Sequence, residues 1–139
     1  MNVKIDDVMA HQVVTVQPHH TIAHVRAVME RNRVHALPVV GPDNEVRGII
    51  SSSDLIGGHP DGAHVSSIMT TPVWCLPRYN NVDVAATVMR KHHVHHIIVT
   101  HDRKVVGIVS AFDLLQLVES RRFVEKAGST RPSKTHKQA

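Results

Sequence analysis

Gly48-Ile49-Ile50-Ser51-Ser52-Ser53-Asp54-Leu55 is the stretch that decides the fold, because the chain repeats it as Gly107-Ile108-Val109-Ser110-Ala111-Phe112-Asp113-Leu114. Each copy has a glycine, a branched apolar pair, a serine, two variable residues, and then an aspartate and a leucine. The pattern predicts a buried strand that runs into the first turn of a helix, with the serine and the aspartate at the junction. A repeat of this kind indicates a duplicated structural unit.

The repeat extends over most of the chain. With an offset of 60 residues, Val13 corresponds to Val73 and Val39 corresponds to Val99. After the turn at residues 41–44 the offset falls to 59, so one turn is a residue shorter than its counterpart. A deletion confined to a turn, with the apolar pattern in step on both sides, is what structural duplication predicts. We therefore predict two copies of one unit of about 60 residues.

The composition is that of an ordinary globular protein. The 139 residues are 42% apolar and 20% charged, which suits one domain with a real core. The formal net charge of +4 is located in residues 126–139, which contain four basic residues and no acidic one. The folded body is close to neutral, so we do not expect it to bind nucleic acid. The basic tail is interpreted as a solubilising end, with an electrostatic contact to nucleic acid or an acidic partner as the alternative.

The sequence carries no sign of a disulfide, a membrane span or an enzyme. Cys75 is the single cysteine, so a reducing compartment is the simpler interpretation. We find no signal-peptide pattern at the start and no apolar run near the roughly 20 residues that span a bilayer. We therefore expect a cytoplasmic protein without membrane contact. No glycine-rich phosphate loop or catalytic motif is present, and Cys75 lies in an apolar strand, so we predict no catalytic residues.

Each copy is interpreted as β-α-β-β-α. The first copy has predicted strands at 13–16, 36–40 and 46–50, helices from Thr21 to about Asn32 and from Ser51 to Gly57-Gly58, and a short turn at 6–10 that closes this unit. The second copy has predicted strands at 73–76, 94–100 and 104–109, and helices that begin at Asn81 and near Ser110. Pro38 predicts an edge position or a local break, since proline cannot donate to a ladder.

The predicted fold class is α/β (α+β), with two tandem units packed sheet to sheet. One such unit has an apolar sheet face that it cannot bury alone, and a second unit related by a pseudo-twofold axis covers it. The predicted boundaries are 1–58 for the first repeat, 59–64 for the linker, 65–125 for the second repeat and 126–139 for a basic, disordered tail. Clefts should lie where the strand ends of one unit meet the other.

The doubled order of these segments resembles a pair of CBS (cystathionine β-synthase) domains, also called a Bateman module. The residues that carry the resemblance are Asp7-Val8-Met9, Val14-Thr15-Val16, Val34 to Val40 and Gly48 to Leu55, each with its counterpart, over about residues 3–122. The resemblance implies a stand-alone regulatory module that binds AMP, ADP, ATP, S-adenosylmethionine or NAD in clefts between the repeats and signals to a partner protein. It also implies no required cofactor, and a homodimer formed through helices.

The resemblance further implies the site residues. Ser51 and Asp54 would face the ribose and phosphate in one cleft, and Ser110 and Asp113 in the other. The segments that match those holding the adenine are, in the first copy, Ala36, Leu37 and Pro38 with the strand that includes Val14 and Thr15. In the second copy they are His96, Ile97 and Ile98 with the strand from Val73 to Cys75, and Ile98 replaces the family's proline. Apart from the resemblance, His35 and His95 are equivalent positions expected near the pseudo-twofold axis, and they are candidate phosphate contacts together with Arg33 and Lys91.

The residues themselves leave a second interpretation of the serine and aspartate open. A carboxylate can accept hydrogen bonds from both hydroxyls of a ribose, and such charged bonds are strong. However, Ser-x-x-Asp also resembles a capping box, which satisfies the helix's own donors without a ligand. The two roles are compatible. If only the cap is real, the alternative function is a ligand-independent dimerisation or interaction module.

The chain has 13 histidines, and four of them lie in the five-residue stretch His92-His93-Val94-His95-His96. Imidazoles at helical spacing can share a metal ion. This stretch instead spans a helix end and a strand start, and no cysteine or carboxylate lies at ligand spacing around it. We therefore predict no metal site and interpret the stretch as a solvated, pH-responsive patch. A histidine-based metal or pH sensor is the third functional alternative.

Overall fold

The computed structural model of this chain describes residues 2–126, with side chains to residue 119. The predicted disordered tail lies, from residue 127 onward, outside the described residues. The helices are α1 (Ile5–Val8), α2 (Ile22–Asn32), α3 (Val82–His92) and α4 (Ala111–Lys126). The strands are β1 (Ala36–Val40), β2 (Val46–Ser51), β3 (Cys75–Pro77), β4 (His96–His101) and β5 (Lys104–Ser110). Short 3₁₀ turns occupy Ser52–Leu55 and Val65–Ser67.

The two repeats share fine details of their ladders, which confirms the duplication. β1 pairs antiparallel with β2, and Val39 stands opposite Gly48. β4 pairs antiparallel with β5, and Val99 stands opposite Gly107. Each ladder shifts its register at the residue that follows that pair. An irregularity at the same place in both copies is expected of one backbone design used twice.

Helix α2 begins and ends where its sequence predicts, and α3 begins where predicted, with one difference in the caps. The Thr21 side chain caps α2, because its Oγ1 accepts a hydrogen bond from the His24 N–H at 3.2 Å. Asn81 precedes α3 but makes no capping bond with its side chain. Both helices end in a left-handed residue, Arg33 and His93, each with φ of 55°. That conformation is uncommon outside glycine, and its recurrence again marks equivalent positions.

The predicted first strand of each copy is wrong in extent. Within residues 13–16, the one ladder contact is a parallel bridge between Val16 and Val39. In the second copy the strand is β3, which begins two residues after the predicted start and pairs parallel with β4. The carbonyl of Pro38 accepts a bond from Val16 N–H at 3.0 Å, so the proline nitrogen faces this sparsely paired side. The predicted edge position of Pro38 is therefore confirmed.

The helix predicted from Ser51 to Gly57-Gly58 is a single 3₁₀ turn, Ser52–Leu55. Two glycines and Pro60 follow it, and both residue types oppose continuation of a helix. The equivalent helix of the second repeat, α4, meets no such residues and continues for 16 residues.

The short N-terminal turn packs on the second repeat, so the prediction that it closes the first unit is wrong. Ile5 and Met9 belong to the core cluster of the second repeat, together with Ala85, Met89, Ile97, Val99 and Val109. The N–H of Ala10 donates to the carbonyl of Ile108 at 3.0 Å. Residues 63–69, which lead into the second repeat, pack in turn on the first repeat, since Val65 is buried in its core.

The two sheets pack face to face, as predicted. Val40 of β1, Ile98 of β4 and Val105 of β5 form a buried cluster that joins the repeats. Partly buried side chains extend this cluster: Val13, Val46, Ile49, Val73 and Cys75. The turn of the first hairpin adds polar contacts, because the Asn44 carbonyl accepts a hydrogen bond from the Val105 N–H at 3.0 Å and the Asn44 Nδ2 donates to the Val105 carbonyl at 2.9 Å. The fold is thus a mixed α/β pair of repeats, and its cleft lies beside this junction.

Candidate functional site

A cavity of about 420 Å³ lies between the repeats. The first repeat contributes His35, Ile49 and residues 51–54, and the second contributes Thr70, residues 72–74 and residues 93–96. Its size falls in the range of roughly 300–1,000 Å³ that small-molecule pockets occupy. Because both repeats form its walls, any ligand in it would contact both.

Ser51 and Asp54 stand on the first-repeat wall. The carboxylate Oδ2 of Asp54 accepts two bonds from Ser51, one from its backbone N–H at 2.8 Å and one from its Oγ at 3.1 Å. The Ser51 Oγ also lies 2.9 Å from the Oγ of Ser53. Among the described residues, none donates a hydrogen bond to Oδ1 of Asp54. One carboxylate oxygen thus holds the turn, while the other is left to accept bonds from a ligand.

Ser110 and Asp113 form the equivalent pair at the start of α4. The Ser110 N–H donates to Asp113 Oδ2 at 2.8 Å, and the Asp113 N–H donates to Ser110 Oγ at 3.1 Å. This is the reciprocal capping box that the sequence pattern predicts. Neither residue lines the cavity between the repeats.

The predicted base-holding residues fall into two groups. Val73 and His96 line the cavity, whereas Ile97 is buried in the second core. Ala36, Leu37 and Pro38 are buried in β1, Val14 and Thr15 are half-buried before it, and none of these five residues lines the cavity. The structure therefore brings Ser51 and Asp54 of the first repeat together with Val73 and His96 of the second. Sheet-to-sheet packing produces this combination, because it sets the strand end of one repeat against the turn of the other.

Imidazoles surround the cavity. His35 and His95, which are equivalent in the two repeats, both line it, as do His93 and His96. Burial lowers the pKa of His96 below 6.5; His95 and His35 lower that pKa further, and Asp113 opposes them. Of the other candidate phosphate contacts, Arg33 lines a separate groove beside α2, and Lys91 is exposed on α3.

The next features concern a metal site, the single cysteine and membrane-spanning helices. In the described part of the chain, no group of three or more His, Cys, Asp or Glu side chains is arranged to hold a metal ion. Cys75 is half-buried beside the cluster that joins the sheets, and burial raises the pKa of its thiol, so it stays protonated at neutral pH. Within residues 2–126, no helix has the length and apolar character needed to cross a membrane.

The sequence placed Trp74 in the segment from Val73 to Cys75 without singling it out. This residue lines the cavity, and its indole ring stacks on the imidazole of His92 with centroids 4.0 Å apart and planes inclined by 22°. Trp74 is the single tryptophan of the chain, and the first repeat has Val14 at the equivalent position. A comparison of the two copies at this point could have identified it.

Two small α/β repeats around a ligand-sized cleft define a class of paired domains, and comparison with known proteins identifies the family. The family model for the CBS domain matches residues 5–58 and 65–120. This chain therefore belongs to the CBS domain family, as a pair of CBS domains.

Similar proteins and structures agree with that assignment. The CBS domain-containing protein YhcV of Bacillus subtilis is 27% identical over 137 residues, with 95% of each chain covered. The CBS domain of a CBS domain-containing membrane protein from Sphaerobacter thermophilus is 30% identical, with a TM-score of 0.77 over 84% of this chain and 88% of that one. The CBS domain pair of protein MJ0100, solved with 5′-methylthioadenosine and S-adenosyl-L-methionine, is 24% identical, with a TM-score of 0.80 over 87% and 99%.

Several curated relatives are much longer than this chain. An inosine-5′-monophosphate dehydrogenase from Methanocaldococcus jannaschii is 29% identical over 114 residues, which cover 81% of this chain and 23% of that enzyme. The chain also spans 46% of a 33.4 kDa protein from Thermofilum pendens. The match to such relatives concerns the CBS pair and leaves most of their length unmatched.

Proposed function

We propose that this chain is a regulatory module that binds an adenosine-containing ligand between its two CBS repeats and signals to a partner protein. The candidate ligands are AMP, ADP, ATP, S-adenosylmethionine and NAD. The observation that carries the proposal is the cavity of about 420 Å³ whose walls combine Ser51 and Asp54 with Val73 and His96 of the other repeat. The complex of the MJ0100 pair with two adenosyl compounds supports this ligand class.

Each wall of the cavity has a role in this proposal. Asp54 would accept the ribose hydroxyls through Oδ1, because Oδ2 is engaged by Ser51. Val73 offers an apolar contact for the base, and His35 and His95 would donate to a phosphate. A second cleft, with Ser110 and Asp113 facing a ribose and residues 36–38 beside the base, is part of the same proposal.

Signalling would arise because the ligand contacts both repeats. A ligand that binds one relative packing of the repeats better than another shifts the population toward that packing. No cofactor and no catalytic step are required, so the proposed role is regulatory. With adenine nucleotides as ligands, the module would sense the cell's energy state. The single cysteine, Cys75, fits a reducing compartment, and we propose a cytoplasmic location on that ground.

A second candidate function is ligand-independent dimerisation through helices. A groove between α3 and α4 is lined by Met89, Leu114, Leu115 and Val118 among other residues. Leu115 and Val118 are 64% and 51% exposed, which leaves apolar surface for a second copy of this chain to cover. A homodimer formed here is compatible with ligand sensing and is the whole function if no ligand binds.

Thermal unfolding against the five candidate ligands, with zinc as a separate addition, tests the proposal. A ligand at 100 times its dissociation constant stabilises the folded state by about 2.7 kcal/mol, which gives a readily measured rise in melting temperature. Stabilisation by an adenosyl ligand supports the sensor. A chain that no adenosyl ligand stabilises would favour the dimerisation module, and a response to zinc alone would favour a histidine-based metal sensor.

A further inference from the structure

Trp74 forms a rigid aromatic surface on the wall of the cavity. Its side chain is 44% exposed, and its ring stacks on His92 with centroids 4.0 Å apart. Its backbone carbonyl accepts a hydrogen bond from the Ile98 N–H at 3.1 Å, which ties the residue to β4. Backbone and ring are therefore both held in place, while part of the indole stays open to a ligand.

The fold itself does not require this aromatic pair. At the offset of 60 residues, Trp74 corresponds to Val14 and His92 corresponds to Asn32. The first repeat builds the same architecture with an aliphatic and an amide side chain at these positions. Aromatic residues make up 3% of the chain, so a half-exposed tryptophan on a cavity wall calls for a reason other than packing.

We propose that Trp74, backed by His92, is the stacking platform for the purine base of the ligand; the inference rests on the proposed function above. A base on Trp74 would leave its ribose to reach Asp54, which comes from the other repeat and lines the same cavity. Indole rings offer a large, stiff apolar face to a purine, and stacking of this kind is a major part of base affinity.

The charges that line the cavity favour base stacking as a main source of ligand affinity. Among the described residues that line it, Asp54 is the one carboxylate, and neither lysine nor arginine is present. The lining therefore offers a phosphate imidazole donors but no lysine or arginine charge. The base and ribose should supply most of the binding free energy, and adenosine itself should bind.

The test is isothermal titration of adenosine into the full chain at pH 7.5, with ribose 5-phosphate as a ligand that has no base. Trp74→Leu should weaken adenosine binding by roughly 5- to 150-fold, the usual effect of losing one base–aromatic stack. Trp74→Phe should recover part of the affinity. Tyr79→Leu is the matched control, because Tyr79 is a 57% exposed aromatic residue that does not line the cavity, and its affinity should equal that of the wild type. Adenosine should also quench the fluorescence of the single tryptophan with the same dissociation constant.

The outcomes separate this inference from the proposed function. If adenosine binds the wild type and Trp74→Leu equally well, or binds without changing the fluorescence, the platform is overturned and the sensor stands. If the wild type binds neither adenosine nor any of the five candidate ligands, the proposed function fails and the platform fails with it. Should Trp74→Leu not fold, the fluorescence of the wild type and the affinity of Trp74→Phe still decide.

Discussion

The backbone of Ala10 passes so close to Gly107 that a Cβ on this glycine would lie 2.9 Å from the Ala10 carbonyl oxygen. The same approach occurs in the other repeat, where a Cβ on Gly48 would lie 3.0 Å from the carbonyl oxygen of Thr70. Each glycine opens one copy of the repeated motif. The motif therefore begins with glycine because a segment from the other side of the molecule crosses the strand there.

Substitution of either glycine should destabilise the protein. A methyl group at Gly107 or Gly48 would push against backbone and against the Sδ of Met9 or Met69, so we expect a loss of about 1–3 kcal/mol for Gly107→Ala and for Gly48→Ala. Gly62→Ala is the control, because a Cβ there meets no atom within 4 Å. Urea unfolding at pH 7.5 measures all three. Equal stability of Gly107→Ala and Gly62→Ala would contradict the crossing.

The stability of the protein should fall as the solution becomes acidic. Burial, with His95 and His35 adding to it against Asp113, holds the pKa of His96 below its usual 6.5 in the folded state. Between pH 6.5 and that lowered value, the unfolded chain therefore binds more protons than the folded protein does. The free energy of unfolding decreases as the pH falls through this window, and the full contribution of His96 is present above it. Burial, His24 and His19 lower the pKa of His20 in the same direction.

Urea unfolding at pH 7.5, 6.5 and 5.5 checks this expectation, with His96→Gln as the variant. The variant should lose part of the pH dependence and keep the part that comes from His20. A wild-type stability that does not change over this range, or a variant with the full wild-type slope, would show that His96 does not titrate as described.

His35 and His95 should contribute to phosphate binding. Both residues line the cavity, and an imidazole N–H can donate to a phosphate oxygen, so His35→Ala/His95→Ala should bind AMP more weakly than the wild type does. The same variant should bind adenosine, which has no phosphate, as tightly as the wild type. Titration calorimetry with the two ligands measures the difference. An unchanged affinity of the variant for AMP would remove these histidines from the phosphate site.

A charge in the groove between α3 and α4 should prevent dimerisation. Leu115→Asp would place a carboxylate on the apolar surface that a second copy is proposed to cover, at a desolvation cost large enough to shift the protein to monomer. Val84→Asp, on an exposed part of α3 outside the groove, should leave the dimer intact. Analytical ultracentrifugation distinguishes the two. Dimers of both variants would exclude this groove as the interface.

Local patterns in the sequence predicted most elements of the fold. The offset between Val39 and Val99 marked two ladders that share even their irregularity. Valines at residues 13–16 predicted a strand, but a ladder needs a partner along its whole length, and Val16 alone pairs there. The sequence also could not predict which repeat the turn at Ile5–Val8 packs on, because the apolar pattern of a short turn does not reveal which core will bury it.

The candidate site was likewise predicted in part, because some of its residues have a local pattern and others are brought together only by the fold. Ser51 and Asp54 were identified from their spacing and from the family resemblance, and the structure sets them on a cavity wall. That Val73 and His96 face them across the cavity could not be predicted, since the facing of the two sheets depends on tertiary packing. Trp74 was predicted only as part of the segment from Val73 to Cys75, because these residues have the pattern of a buried strand, and its exposure became clear only from the fold.

Titration calorimetry of the wild type and of Asp54→Asn, each with the ligand that stabilises the wild type most, tests the central claim most directly. Asparagine keeps an acceptor for the Ser51 cap but removes the charge that would hold the ribose, so the affinity should fall by about tenfold or more. Asp61→Asn is the control, because Asp61 is an exposed carboxylate that belongs to neither proposed cleft. Loss of affinity in Asp54→Asn but not in Asp61→Asn is the predicted result. Unchanged affinity in Asp54→Asn would contradict the assignment of the cavity between the repeats as the ligand site.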